Sequence, residues 1–293
     1  MRKRNLMLLM AMAAAMVLAA QAPAVIRITT NMPGGADAEL REEAPDTNRG
    51  SSNELASRVS GTVENPTQNS LIYLKFGVAG ITPSDLLGNI IVQTTYRNNN
   101  ITAGRIQDPL GGPNTGWDYY VMDPWLTGAD WDEATITPRN APGYYYDGNL
   151  FTKGCGTPEE PMDGLTYLGR KLYDSAELVG SPLHLPVGGP FNFVCEPGSA
   201  LHDAVAAALE TDHKTVTIVM AIAHDQSTNN SQWKGFNYLF NPKEMTTLNT
   251  DAASPWSGMS NANGEFSPAL IFVPEPATMV ILLAGGLLLR RRQ

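Results

Sequence analysis

The sequence predicts an all-β protein, a sandwich or barrel accompanied by one short helix, and three observations predict it. Short runs rich in β-branched and aromatic residues recur along the chain. Clusters of Gly, Pro, Asn and Asp separate them, as turns between many short strands require. A single stretch, near residue 200, carries apolar residues at four-residue spacing. With 43% hydrophobic residues in 293, there is material for one globular core, and all-β domains run to roughly 200–250 residues as one unit.

In chain order, the first segment is MRKRNLMLLMAMAAAMVLAAQAPA. Arg2, Lys3 and Arg4 precede an apolar stretch, Leu6 to Ala20, and small residues follow. That is the order of a secretory signal, so residues 1–24 are expected to be a signal helix cut after Ala20 or Ala24. The stretch is shorter than the ~20 residues a spanning helix uses.

The body, residues 25–272, begins its clear strands with Ser70–Phe76 (SLIYLKF) and Asn89–Tyr96 (NIIVQTTY), the latter ended by three asparagines. Residues 149–198 are rich in Gly and Pro and read as an insertion between strands. This insertion holds both cysteines, Cys155 and Cys195. After export they either pair or remain two buried thiols; a bond closing a loop of about 40 residues would stabilise by roughly 3–4 kcal/mol. Ser199–Glu210 reads as the helix, with Leu201, Val205 and Leu209 on one face and Ser199 as its cap. Lys214–Ala223 (KTVTIVMAIA) is the strongest strand, and Ser267–Val273 closes the domain.

The tail, residues 273–293, reads VPEPATMVILLAGGLLLRRRQ. Its apolar run, Thr278 to Leu289, reaches about 18 Å as a helix, short of a hydrocarbon core of about 30 Å. Arg290, Arg291 and Arg292 then stop transfer. Such a segment holds a protein at a membrane temporarily.

Net charge is −9, and both basic clusters lie at the ends. Removal of residues 1–24 and 277–293 leaves 14 of the 20 basic residues against 29 acidic ones, a net charge near −15. Such a surface repels phosphates, which argues against nucleic acid as a partner. No metalloprotease, nucleophile-elbow, phosphate-loop or dinucleotide motif occurs. The four histidines, His184, His202, His213 and His224, lack metal-ligand spacing and are expected at the surface or at caps. Asp130, Asp132 and Glu133 supply carboxylates for a glycosidase pair in principle. No catalytic residue and no resident cofactor is expected. Sugars stack their C–H faces on aromatic rings, so Trp117, Tyr119, Tyr144 and Tyr146, in GWDYY and YYYD, are the candidate glycan contacts. The competing expectation for them is core or cross-strand packing. Trp131 is assigned to the core. Asp37, Glu42 and Asp46 are the candidate oxygen ligands of a structural calcium.

Two resemblances sharpen these expectations. Pro274, Glu275 and Pro276, then an apolar run with Gly-Gly, then three arginines, resemble a PEP-CTERM sorting signal. The resemblance implies recognition of the tripeptide by exosortase, a membrane transpeptidase, which removes the tail. It implies delivery to the cell surface or extracellular matrix of a two-membrane, exopolysaccharide-making bacterium. Four further stretches resemble, in order, the DNRLRE family, grouped with carbohydrate-binding module family 96. The first is residues 36–59, where Asp37, Pro45, Asp46, Thr47, Asn48 and Gly50 match a strand followed by a turn. The second is residues 71–81, with Lys75 in place of arginine and Gly77 in place of aspartate. In the third, residues 131–142, Trp131, Glu133, Thr135, Thr137 and Pro142 match and Pro138 replaces a tryptophan. The fourth is the helix at 199–210 with the strands that follow it. This resemblance implies a jelly-roll-like β-sandwich, makes the acids at 130–133 turn and strand-entry residues, and suggests carbohydrate binding. Three functions are therefore expected in order: an exported surface or matrix protein that binds exopolysaccharide, a structural or adhesive envelope protein without a glycan ligand, and a secreted glycan-active enzyme.

Overall fold

The computed structural model describes residues 24–59, 61–62, 65–66, 70–95, 119–144, 161–169, 171–173, 190–221, 236–247 and 258–275. The predicted signal helix, the apolar tail run, Pro276, Trp117, Tyr146 and Cys155 lie outside the described residues. Among the described residues no helix is long and apolar enough to cross a membrane.

Two antiparallel sheets face each other, as the all-β reading expects. The smaller is built from β1 (Ile26–Thr29), β7 (Asn89–Thr95), β11 (Pro190–Cys195) and β14 (Ala269–Val273), in the order β1-β14-β7-β11. The larger holds β2 (Ala36–Arg41), β3 (Leu55–Val59), β6 (Ser70–Gly77), β8 (Tyr119–Thr127), β9 (Leu165–Tyr167), β10 (Lys171–Tyr173), β12 (Thr215–Ala221) and β13 (Phe236–Phe240). Its path is β10-β8-β12-β6-β3-β13, with β2 also on β6 and β9 also on β8. A two-residue ladder, β4 (Gly61–Thr62) with β5 (Asn65–Pro66), stands apart.

The core between the sheets comes from one pleat of each strand. β6 gives Ile72, Leu74 and Phe76, β12 gives Val216, Ile218 and Met220, and the small sheet answers with Ile90, Val92, Phe191, Phe193, Leu270 and Phe272. The opposite pleat is buried too. Leu71 and Tyr73 of β6 and Val219 of β12 join Trp125, Trp131 and Ile136 in a second cluster on the outer face of the larger sheet. Burial on both faces is why these central strands read as near-continuous apolar runs rather than alternations. Trp131 is core, as expected. It packs edge-to-face on Tyr73 at 5.9 Å, and its indole N–H donates to Thr217 Oγ1 at 3.0 Å.

Helix α1 (Ala200–Leu209) matches the predicted span and turns Leu201, Val205 and Ala208 inward. Ser199 is its N-cap residue, but its hydroxyl bonds the ring of His202 rather than the helix N–H groups. Residues 149–198 differ from expectation. They are not wholly irregular: β9, β10 and β11 fall there, and β11 places Phe191 and Phe193 in the main core. Sequence reasoning missed β11 because Pro190 and the glycines before it read as a breaker. Proline is tolerated at the first residue of an edge strand, and β11 is the edge of its sheet.

Candidate functional site

The turn after β2 and the loop after β8 are built on each other. Asn48 Nδ2 donates to the carbonyls of Glu133 at 2.7 Å and Ile136 at 2.8 Å, and Arg139 pairs with Asp46 at 2.7 Å. A Cβ at Gly50 would stand 2.1 Å from the Glu133 carbonyl oxygen, so only glycine allows this approach. The two stretches whose motifs stand about 90 residues apart thus form one unit.

That unit delivers Glu133 to the polar face of β2. The face opposite Ala36, Ala38 and Leu40 carries Asp37, Glu39 and Arg41. Asp37 is fully buried. Its Oδ2 accepts from Thr30 Oγ1 at 2.6 Å and from the Lys243 N–H at 3.1 Å, while Oδ1 has no hydrogen-bond partner. Its backbone N–H donates to Glu133 Oε1 at 2.9 Å. Ligand oxygens of Asp37, Glu133 and Glu244 lie within 4.8 Å of one another. Among them sits the Lys243 ammonium, 2.7 Å from Glu133 Oε1 and bonded also to Glu244. Burial, and then the charge of Glu244, push the Asp37 carboxyl well above the usual carboxylate range. Burial pulls the Lys243 ammonium down, but the bonds to Glu133 and Glu244 outweigh it and hold its pKa above the ordinary value.

The calcium ligands named from sequence are therefore not brought together as a set. Asp37 is joined by Glu133 and Glu244; Glu42 is buried beyond the end of β2, and Asp46 is exposed and held below its ordinary pKa by its hydrogen bond to Arg139. Glu244 and Lys243 were missed because they stand far along the chain, in the turn after β13, with no local pattern marking them. The acids at 130–133 separate into distinct roles. Asp130 pairs with Lys75 at 3.1 Å, Asp132 Oδ1 accepts from the Ala134 N–H at 3.0 Å, and Glu133 holds Lys243.

Of the candidate glycan aromatics, Tyr119 begins β8, where it pairs with Tyr173. Tyr144 is half-buried and packs against the second cluster, as Met162 and Tyr167 also do. Tyr167, which sequence reasoning did not single out, stacks at a tilt on the buried Trp125 at 4.8 Å. Two partly exposed tyrosines thus pack on the same apolar cluster. A separate cleft of about 470 Å³ opens between α1 and the end of β8, with Asp130, Asp203, His213 and Thr166 on its walls.

Ser199 Oγ and His202 Nδ1 lie 2.9 Å apart, but His202 is buried and its Nε2 is 2.7 Å from the Gly88 carbonyl. His202 therefore pins the helix start to the entry of β7 from a buried position. Cys195 is a buried free thiol, and burial pushes its pKa up to about 11.

The last described residues are Pro274 and Glu275. β14 stops at Val273, and Pro274 and the exposed Glu275 leave the sheet. Gly88 lies against this exit: a Cβ there would meet the Val273 carbonyl oxygen at 1.9 Å and the Glu275 nitrogen at 2.8 Å. No protein-family model matches the chain, and comparison with curated proteins gives no match.

Proposed function

We propose that this is a non-enzymatic exported protein whose β-sandwich is displayed at the cell surface or in the extracellular matrix after an exosortase-type transpeptidase removes its tail. The observation that carries the reading is the place where Pro274 and Glu275 leave the sheet. β14, the last described strand, is paired on both sides and ends at Val273, and Glu275 is exposed immediately outside it. A transpeptidase reaches such a motif without unfolding the domain. In a host that makes the transpeptidase, mass spectrometry of the surface-released protein is expected to find residues 277–293 missing. Glu275→Ala is expected to leave the full-length chain in the membrane fraction. Equal processing of the variant and the parent removes the reading.

The ligand proposed for the displayed module is an extracellular polysaccharide, held across Tyr144 and Tyr167. Their packing on one apolar cluster and their partial exposure suit stacking of sugar C–H faces. The expected result is that Tyr144→Ala with Tyr167→Ala lowers retention on the polysaccharide matrix about tenfold while the melting temperature stays within a few degrees. Unchanged retention leaves the structural or adhesive reading in its place. A structural calcium belongs to the same proposal only with the donor set Asp37, Glu133 and Glu244, where it must displace the Lys243 ammonium.

A further inference from the structure

Five large apolar residues are exposed among the described ones, and two of them, Val25 and Leu87, come together at one end of the smaller sheet. Ile26 pairs with Phe272 and Val273 with Asn89, so Val25, Val273 and the Leu87–Gly88 entry to β7 come side by side. Gly88 touches the backbone of Val273–Glu275 directly. Val25 is 59% exposed and Leu87 62%. Val194, also exposed, pairs with Ile91 two positions inside Asn89 and stands apart from this group, on the far edge strand. The rim of Val25, Leu87 and Val273 is the end at which the tail leaves. The first described residues start there too, because β1 and β14 are antiparallel.

The length of chain beyond the sheet decides what faces this rim. Four residues, Pro274–Ala277, separate β14 from the apolar run that starts at Thr278. Fully extended they reach about 14 Å. A domain of about 250 residues has a radius of gyration near 18 Å, and each headgroup layer is about 5–7 Å deep. With the run inserted, the tether is shorter than the domain's own radius and is largely spent in crossing the headgroups. The domain then has no room to turn another surface to the lipid.

From this we infer that the rim formed by Val25, Leu87 and Val273 is a membrane-contact surface, which rests on the bilayer while the tail is inserted and becomes free when the tail is removed. The inference rests on the proposed role of the tail as a membrane hold. Apolar side chains at the lipid interface gain from burial there. Signal cleavage after Ala24 would add an α-ammonium group at Val25, at the same rim.

The test uses the full chain, tail intact, with vesicles of phosphatidylcholine and phosphatidylglycerol. An environment-sensitive dye is placed on Leu87→Cys or, at the opposite end of β1, on Met32→Cys, with the unsubstituted chain labelled in parallel to subtract signal from Cys155 and Cys195. Headgroup-attached quenchers are expected to quench the dye at 87 several-fold more than the dye at 32. Equal quenching at both positions, in protein that floats with the vesicles, overturns the rim while leaving the tail as a hold. Failure to float overturns the membrane hold and the rim with it. A dye response at 87 that depends on protein concentration without vesicles assigns the rim to a second copy and overturns the inference.

Discussion

Glu39→Ala is expected to destabilise the domain by about 3 kcal/mol. The Glu39 carboxylate is fully buried between two guanidinium groups: Arg41 Nε is 2.7 Å from Oε1 and Arg49 Nε is 3.1 Å from Oε2. Arg41 reaches on to Glu54 at 2.7 Å. Removing the shared anion leaves two like charges facing each other across a cavity. Breaking a buried ion pair costs about 3–5 kcal/mol. The arginines keep 16% and 27% exposure, so water solvates the freed charges in part and the loss falls at the lower end. Glu39→Gln keeps the shape but turns an N–H donor toward a donor, and about half the loss is expected. For a domain of this size the Glu39→Ala loss moves the melting temperature by roughly 6–12 °C. Chemical denaturation that finds under 1 kcal/mol would mean that Glu54 takes over both arginines, and the account of β2 would be wrong.

β2 also shows where sequence reasoning reaches and where it stops. ADAELR alternates apolar and charged residues, the pattern of a strand with one face in water. The strand is there, but five of its six residues are buried, charges included. The partners that make this tolerable are Thr30, Arg49, Glu133 and Lys243, scattered over more than 200 positions. Long-range pairing of this kind leaves no period in the sequence, so Asp37 was legible as a special residue while its company was not. By contrast β6, β7, β12, β14 and α1 were legible because each is specified locally, by β-branched runs or by four-residue spacing. The outward tyrosines divide the same way. Tyr144 stood out by composition; Tyr167 matters only because β9 lays it against Trp125 of β8.

Lys243→Met is expected to cost about 2–4 kcal/mol at pH 7, because it removes the single cation from among Asp37, Glu133 and Glu244. Asp37→Asn is expected to act in the opposite direction. Burial, and then Glu244, raise the folded-state pKa of Asp37, so its favourable contribution is full below the unfolded value of ~3.9 and is lost as pH rises through the raised one. At neutral pH the parent therefore carries a penalty that Asn does not, while Asn still accepts from Thr30 and the Lys243 N–H through its oxygen. Every tenfold by which folding tightens the proton's hold on this carboxyl corresponds to ~1.4 kcal/mol of that penalty. Asp37→Asn should therefore be more stable than the parent at pH 7 and should lose that advantage toward pH 4. In the Lys243→Met background the penalty grows, since the opposing ammonium is gone, and the stabilising effect of Asp37→Asn should be larger there than in the parent. Denaturation curves of the four proteins at pH 4 and pH 7 read this directly; additive effects would show that Lys243 and Asp37 do not feel each other. The same four proteins decide the calcium proposal. If the trio takes a divalent cation, a chelator lowers the melting temperature of the parent, and millimolar calcium restores Lys243→Met more than it restores the double variant, which lacks one carboxylate. If calcium and chelator move none of the four, the lysine is the only cation the knot accepts.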